Sequence, residues 1–340
     1  MTRKPCYLKA MRIAHCSDLH LLSLQGARIL DFANKRWIGR LNLLTNRGRH
    51  YHTSAFEAMV ADFNASDVDH VICTGDVTNL ALEQEFRFAR TLFDQIELGP
   101  HRVTVIPGNH DAYIAKGNQY FTQYFADYFK ADAEWERPAD ETSARSGHRA
   151  APDDPTWPVV RIRGNVALIG LSTSMQTPWF TAYGRLGTAQ LDRLRAVLAD
   201  RRLASCLRLV AIHHPPVGKS AHNKIRGLRD FAAFARVIAE SGAELVIHGH
   251  EHRDLRGELP GPNGDIVPVL GVQSGTYEAN RPERTARYRI FEIAGSADEK
   301  RPGVVAHRLR RWNSVDGQFV DDLAEPSKVT PQARITAENC

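Results

Sequence analysis

The chain lacks the features that would place it in a membrane or hold it together covalently. No stretch approaches the roughly 18 to 20 consecutive apolar residues of a membrane-spanning helix. The opening MTRKPCYLKAMR has no apolar block of about 7 to 15 residues, the mark of a signal peptide. Cys6, Cys16, Cys73, Cys206 and Cys340 are odd in number, scattered, and never spaced as a CxxC pair. Such usage argues against a disulfide framework or a thiolate zinc site, and a reducing cytoplasm is the expected location. Cys16 and Cys73 fall in apolar runs, where a small buried hydrophobe is expected rather than a reactive thiol. Internal repeats and low-complexity tracts are absent, and 43% hydrophobic with 24% charged residues excludes collagen-like, disordered and coiled-coil chains. A chain of 340 residues buries a sizeable core without metal staples, so stability need not explain any metal ligands.

Charge is present but uneven. Residues 1–52 carry ten Lys or Arg against Asp18 and Asp31, a local +8 within a chain of net +5. This end suits an anionic partner, such as a phosphate-bearing substrate or an acidic membrane surface, or else forms a solvated basic face.

Short β-branched runs alternate with helical-period segments. Strands are expected at Arg12–Cys16, 71–75, 102–106, Leu207–Ile212 and Leu245–Ile247, with a hairpin turning at Gly164 and Asn165. Helices are expected at Thr53–Ala65, Leu80–Ile96, Gly117–Phe129, Thr188–Arg201 and Asp230–Ser241. The alternation implies βαβ units. PVLGVQSGT, RYRIFEI and GVVAHRLRRW then suggest a second sheet. One domain is expected over residues 12–319, after an extension at 1–11 and before a polar tail at 320–340. It carries a basic amphipathic insert at 32–51 and an acidic, Pro-rich insert at 131–158.

Acids and histidines fall directly after the strands. Asp18 and His20 follow RIAHC, Asp76 follows VICTG, Asn109 and His110 follow RVTVIPG, His213 follows LRLVAI, and His250 and His252 follow LVIHG. Segments leaving the carboxyl ends of neighbouring strands converge on one crevice. Two carboxylates, one amide and four imidazoles then meet, a mixed O/N set that suits Mn, Fe or Zn. Seven ligands exceed what one ion takes in a catalytic zinc-type site. With Asp76 as a bridge they divide into Asp18, His20, Asp76 and His252 on one ion, and Asp76, Asn109, His213 and His250 on the other. In DLH and HEH the intervening residue lets two side chains of an extended strand end face one side. Gly75, Gly108 and Gly249 permit close backbone approach beside the ligands. His214, His222 and His248 fit no ligand role and are expected to be structural or supporting.

SDLH, GD, GNHD, HHPP and GHEH, in this order, resemble the calcineurin-like metallophosphoesterase superfamily over residues 12 to about 275. The resemblance implies an α/β fold, a four-layer αββα sandwich with two central mixed sheets, and a dinuclear centre of two divalent or trivalent ions at the strand ends with the allocation above. It also implies that His110 is a catalytic group near the leaving or nonbridging oxygens, oriented by Asp76 or Asp111. A metal-bridging hydroxide is the expected nucleophile, and the unperturbed pKa of His110 suits proton donation near pH 7.

The motif layout is most similar to bacterial phosphodiesterases acting on cyclic nucleotides or glycerophosphodiesters, so a small-molecule phosphodiester is the expected substrate and nucleic acid is not expected. Two other readings stand beside it. One is a pyrophosphatase of a lipid-linked nucleotide such as UDP-diacylglucosamine, with Lys35, Arg36 and Arg40 meeting phosphates while Trp37, Ile38, Leu41 and Leu44 meet acyl chains or the membrane periphery. An amphipathic helix packed over the site rim explains the same residues, and one group of these pyrophosphatases carries Arg where this chain has His110. The other is a metal-binding scaffold without activity, against which the complete ligand set argues. Loop 172–185 is a candidate for selectivity, although Trp179, Phe180 and Tyr183 are expected to fill the second core. Arg281, Arg284 and Arg287 offer contacts to substrate or to a second copy of the chain.

Overall fold

The computed structural model describes residues 10–23, 50–112, 115–136, 154–278, 284–295 and 301–322. Lys35, Arg36, Arg40 and the apolar residues interleaved with them lie outside the described residues, as do Arg281 and most of the acidic insert. Strands β1 (Met11–Cys16), β2 (His70–Cys73) and β3 (Val103–Val105) alternate with helices α1 (Thr53–Ala65), α2 (Glu83–Phe93) and α3 (Ala115–Phe125). The chain continues through β4 (Val159–Arg163), β5 (Val166–Gly170), helix α4 (Thr188–Leu198) and β6 (Leu207–Ala211). Helix α5 (Phe231–Ser241) and β7 (Leu245–His248) follow, then β8 (Arg256–Pro260) and β9 (Ile266–Gly271). Strands β10 (Arg287–Ala294), β11 (Gly303–Asn313) and β12 (Gln318–Asp321) close the described chain.

The strands make two mixed sheets of six, ordered β12-β11-β10-β1-β2-β3 and β4-β5-β6-β7-β9-β8. Strands β1 to β3 run parallel, as do β5, β6, β7 and β9, so all seven point their carboxyl ends one way within their own sheets. Strand periodicity sorts the second sheet between two cores. Leu168, Leu209 and Ile247 join β1 to β3 and the inner faces of α1 (Phe56, Met59, Phe63) and α2 (Phe86, Phe93) in one core. Their neighbours Ile169, Val210 and Val246 pack instead with Leu194 of α4 and Phe234 and Ile238 of α5. Helices thus cover the outer faces of two stacked sheets, the αββα arrangement. Each fully buried Leu, Ile or Phe contributes roughly 1.5–3 kcal/mol through removal from water.

Three expectations change. The C-terminal strands do not form a sheet of their own: β9 joins β7, whereas β10 pairs antiparallel with β1 and satisfies the edge that β2 leaves open. Helix α2 starts at Glu83 because Glu85 reaches back to accept from the backbone N–H groups of Leu80 (2.8 Å) and Leu82 (3.0 Å), holding that segment extended. Strand β12 carries order into the expected tail, burying Phe319 and placing Asp322 2.5 Å from Arg287. That ion pair takes Arg287 out of the surface, while Arg284 is exposed.

Candidate metal centre

Five strands end at one place. The loop after β1 lies along the loop after β2, the backbone N–H of Asp18 donating to Gly75 and that of His20 to Asp76, both at 2.9 Å. Ser274 Oγ and Thr276 Oγ1 clasp the same loop by donating to the carbonyls of Asp18 and Leu19, each at 2.6 Å. The loops after β6 and β7 are tied by Gly249 N–H to the His213 carbonyl at 3.1 Å.

The backbone at these loops is not extended. Asp18 (φ 55°), His20 (45°), Asp76 (53°), His250 (74°) and His252 (52°) all occupy the left-handed region. Tight turns, and not strand alternation, bring the side chains of DLH and HEH into one crevice. Such conformations cost roughly 1–3 kcal/mol each in non-glycine residues and persist where surrounding bonds over-determine them.

Glycine is required where the loops touch. A Cβ on Gly108 would lie 2.2 Å from Asp76 Oδ1, and one on Gly249 would lie 1.9 Å from Ser17 Oγ and 2.6 Å from Asp18 Oδ2. Gly108→Ala is therefore expected to destabilise the protein by about 2 kcal/mol or more and to weaken metal retention. Urea unfolding and metal analysis after dialysis check this, and wild-type values for both would show that the crowding is relieved cheaply.

Two clusters of ligand atoms result. His252 Nε2 lies 3.1 Å from His20 Nε2 and 3.3 Å from Asp18 Oδ1. On the other side His213 Nε2 lies 3.1 Å from Asn109 Oδ1 and 3.3 Å from His250 Nδ1. Asp76 Oδ2 stands between them, 3.9 Å from His20 Nε2 and 3.5 Å from His213 Nε2. The donor set fits cations. His213 donates its Nδ1–H to the Thr74 carbonyl at 2.7 Å, so Nε2, which faces Asn109 Oδ1 at 3.1 Å, is the nitrogen that offers a lone pair to a cation once its proton is displaced. Asp18 Oδ1 is fully buried, with His252 Nε2 at 3.3 Å and His20 Nε2 at 4.0 Å. Electron-rich atoms turned toward one another in a dry crevice need a positive charge among them.

Electrostatics match. Burial pushes the Asp18 and Asp76 carboxyls up, yet the surrounding histidines hold both below the usual range, Asp76 well below it. Burial works against charge on His213, but Asp76 pushes its pKa up to about 9. His250 is held well below the ordinary value by burial and by the charges of His214, His213 and Arg226.

His110 sits at the edge of this cluster, its ring 4.6 Å from that of His20. Its Nδ1–H donates to the Asn79 carbonyl at 2.6 Å, and its backbone N–H donates to Asp76 Oδ1 at 2.7 Å. The Asn79 carbonyl thus anchors the imidazole at Nδ1, while the ring also lies near the Asp76 carboxylate. Asp111 instead accepts from the backbone N–H groups of Val77 (3.2 Å), Thr78 (2.9 Å) and Gly108 (2.9 Å), bracing two loops from beneath. Burial, then the Asp76 charge, pushes its pKa up to about 6.

Other residues support the centre. His214 packs on His250 with ring centroids 4.3 Å apart and tilted by 39°, donates from Nε2 to the Ala182 carbonyl at 3.0 Å and accepts at Nδ1 from Thr173 Oγ1 at 2.7 Å. His222 packs on Phe231 instead, and His248 is buried in β7. Trp179 and Phe180 are 55% and 77% exposed, so they do not fill the second core, which α4 and α5 already occupy. The turn that projects them is closed by Thr177 Oγ1 donating to the Thr181 carbonyl at 2.7 Å. Tyr51, Thr74 and Asn79 were not distinguishable as site residues in the sequence, although Asn79 follows Asp76 in GDVTN.

The sequence matches the calcineurin-like phosphoesterase family over residues 11–254, and the chain belongs to that family. It is accordingly a metal-dependent phosphoester hydrolase by class, and its candidate clusters are suited to divalent ions. Among solved structures, a dimetal phosphatase from Danio rerio is similar with a TM-score of 0.54 and 14% identity, over 90% of this chain and 100% of that one. A purple acid phosphatase, PPD1, from yellow lupin is similar with a TM-score of 0.50 and 15% identity, over 94% of this chain and 54% of its own. The chain thus spans about half the length of the lupin enzyme, and at such identities the likeness concerns the fold. No curated protein matches the sequence. Among the described residues no helix is long and apolar enough to cross a membrane.

Proposed function

We propose that the protein hydrolyses a small-molecule phosphodiester, of the cyclic-nucleotide or glycerophosphodiester kind, at a two-metal centre. The observation that carries this reading is a chain of three groups (Asp18, His20 and His252; His20, Asp76 and His110; Asp76, His213 and His250) in which Asp76 Oδ2 lies between His20 and His213. Asp18, His20, Asp76 and His252 would hold one ion, and Asp76, Asn109, His213 and His250 the other. Two such ions supply Lewis acidity toward phosphoryl oxygens and bring the pKa of a bound water toward neutrality. The Thr74 carbonyl keeps the His213 proton on Nδ1, away from the ligand atom. The Asn79 carbonyl likewise anchors His110 at Nδ1, so that in its imidazolium form the Nε2–H is the proton available to a departing alkoxide.

The rim supports a substrate with an organic group on each side of phosphorus. Loop 172–185 is pinned to the centre through Ser174 Oγ, which donates to the Gly108 carbonyl at 2.6 Å, and through the His214 contact with Ala182. It presents Trp179 and Phe180, and Ile225, 54% exposed, is joined to Ala182 by a 2.9 Å backbone bond. Arg226 is exposed beside Ile225, and its charge reaches His250. The exposed apolar side chains suit the two organic arms of a diester, and Arg226 offers a counter-charge to its phosphate.

The test is the initial rate of manganese-loaded protein on bis(4-nitrophenyl) phosphate beside 4-nitrophenyl phosphate, with a chelator control. A chelator-sensitive preference for the diester is expected. A preference for the monoester, or no turnover of either at full metal occupancy, would overturn the reading.

A further inference from the structure

We infer that Tyr51 is a positioning residue of the metal centre, holding His20 and His252 in ligating orientation; this rests on the two-metal reading above. Its Oη lies 3.4 Å from His252 Nδ1, the ring nitrogen that does not face Asp18 and His20. The Tyr51 ring meets His20 edge-on with centroids 4.9 Å apart, and meets His252 at 6.2 Å and 87°. One side chain thus touches both imidazoles of a single cluster.

The arrangement has a chemical consequence. For Nε2 of His252 to offer its lone pair, the ring proton must reside on Nδ1, where it needs an acceptor. Tyr51 Oη is that acceptor, as the Thr74 carbonyl is for His213. For His252 the contact serves orientation above all, because its side chain is 24% exposed and less confined by packing than that of His213, which is fully buried. Tyr51 is not itself a ligand in this geometry, since its hydroxyl meets the nitrogen opposite the cluster.

The backbone explains how Tyr51 is held. Residues 50–52 pair antiparallel with 276–278: Tyr51 bridges Tyr277, His52 N–H donates to the Thr276 carbonyl at 2.9 Å, and Glu278 N–H donates to the His50 carbonyl at 2.7 Å. Thr276 in turn donates from Oγ1 to the Leu19 carbonyl at 2.6 Å, inside the loop that carries Asp18 and His20. Tyr277 packs against the Tyr51 ring with centroids 5.4 Å apart, backing it against the histidines. Tyr51 is therefore fixed to the same backbone as the ligands it orients.

The test is calorimetric titration of metal-free wild type, Tyr51→Phe and Tyr51→Leu with manganese, accompanied by thermal unfolding of the metal-free proteins. Wild type is expected to bind two equivalents. Tyr51→Phe keeps the ring and is expected to weaken one of the two by roughly tenfold or more while leaving metal-free stability unchanged. Tyr51→Leu also removes the ring that backs His20 and is expected to weaken that same equivalent further. Unchanged affinities in both variants, with two equivalents in wild type, would overturn the role of Tyr51 and leave the two-metal centre standing. Fewer than two equivalents in wild type would overturn the two-metal reading, and the inference with it.

Discussion

Asp76→Asn is expected to lower kcat/KM on the diester by roughly 10³-fold or more, equivalent to about 4 kcal/mol of transition-state stabilisation, and to lose at least one bound ion. The reason is local. Oδ1 accepts the His110 backbone N–H at 2.7 Å, so an Asn oxygen would keep that bond and its NH2 would take the position of Oδ2. A donor would then stand between His20 Nε2 and His213 Nε2, where the wild type places the acceptor shared by both clusters. The loops themselves are held by Asp111 and by backbone bonds, so the fold should survive. Metal analysis, circular dichroism and rate together check this. Two retained ions with a wild-type rate would show that Asp76 does not bridge.

His110→Ala carries the second large effect, with an opposite pattern. Metal content should stay at the wild-type level, since the Asp76 contact is made by the His110 backbone and not its ring. Turnover should fall by about 10²- to 10⁴-fold for an alkyl leaving group. For 4-nitrophenolate, which leaves without a proton, the loss should be much smaller. An equal loss for both leaving groups would remove His110 from proton transfer and make it a binding residue instead.

Much of this site is legible in the sequence because its chemistry is conspicuous. Asp18, Asp76, Asn109, His213 and His250 are polar residues set directly after apolar strand runs, and parallel strands bring such positions together. The backbone conformation was not legible. Nothing in SDLH or GHEH distinguishes an extended strand end from the left-handed turns at Asp18, His20, His250 and His252, which the hydrogen bonds of neighbouring loops impose. Contacts between distant segments were equally hidden. Tyr51 meets His252 across 201 residues, and β10 lies beside β1 although local pattern groups it with its neighbours in sequence. Trp179 and Phe180 read as core residues by type, yet α4 and α5 leave no space for them.

The rival functions meet these observations unequally. A non-catalytic scaffold has no need for the left-handed backbone at Asp18, His20, Asp76, His250 and His252 or for the Asn79 contact that anchors the His110 ring. A pyrophosphatase for a lipid-linked nucleotide draws its motive from Lys35, Arg36 and Arg40, outside the described residues. Its distinguishing result is turnover of a nucleotide-lipid pyrophosphate with none of the aryl diester.

Anomalous diffraction from crystals of the protein loaded with manganese would show whether two ions share Asp76. Two peaks about 3.5–4 Å apart are expected, one among Asp18, His20 and His252, the other among Asn109, His213 and His250, with Asp76 Oδ2 between them. A single peak at full manganese occupancy, or two peaks that do not share Asp76, would contradict the two-metal centre.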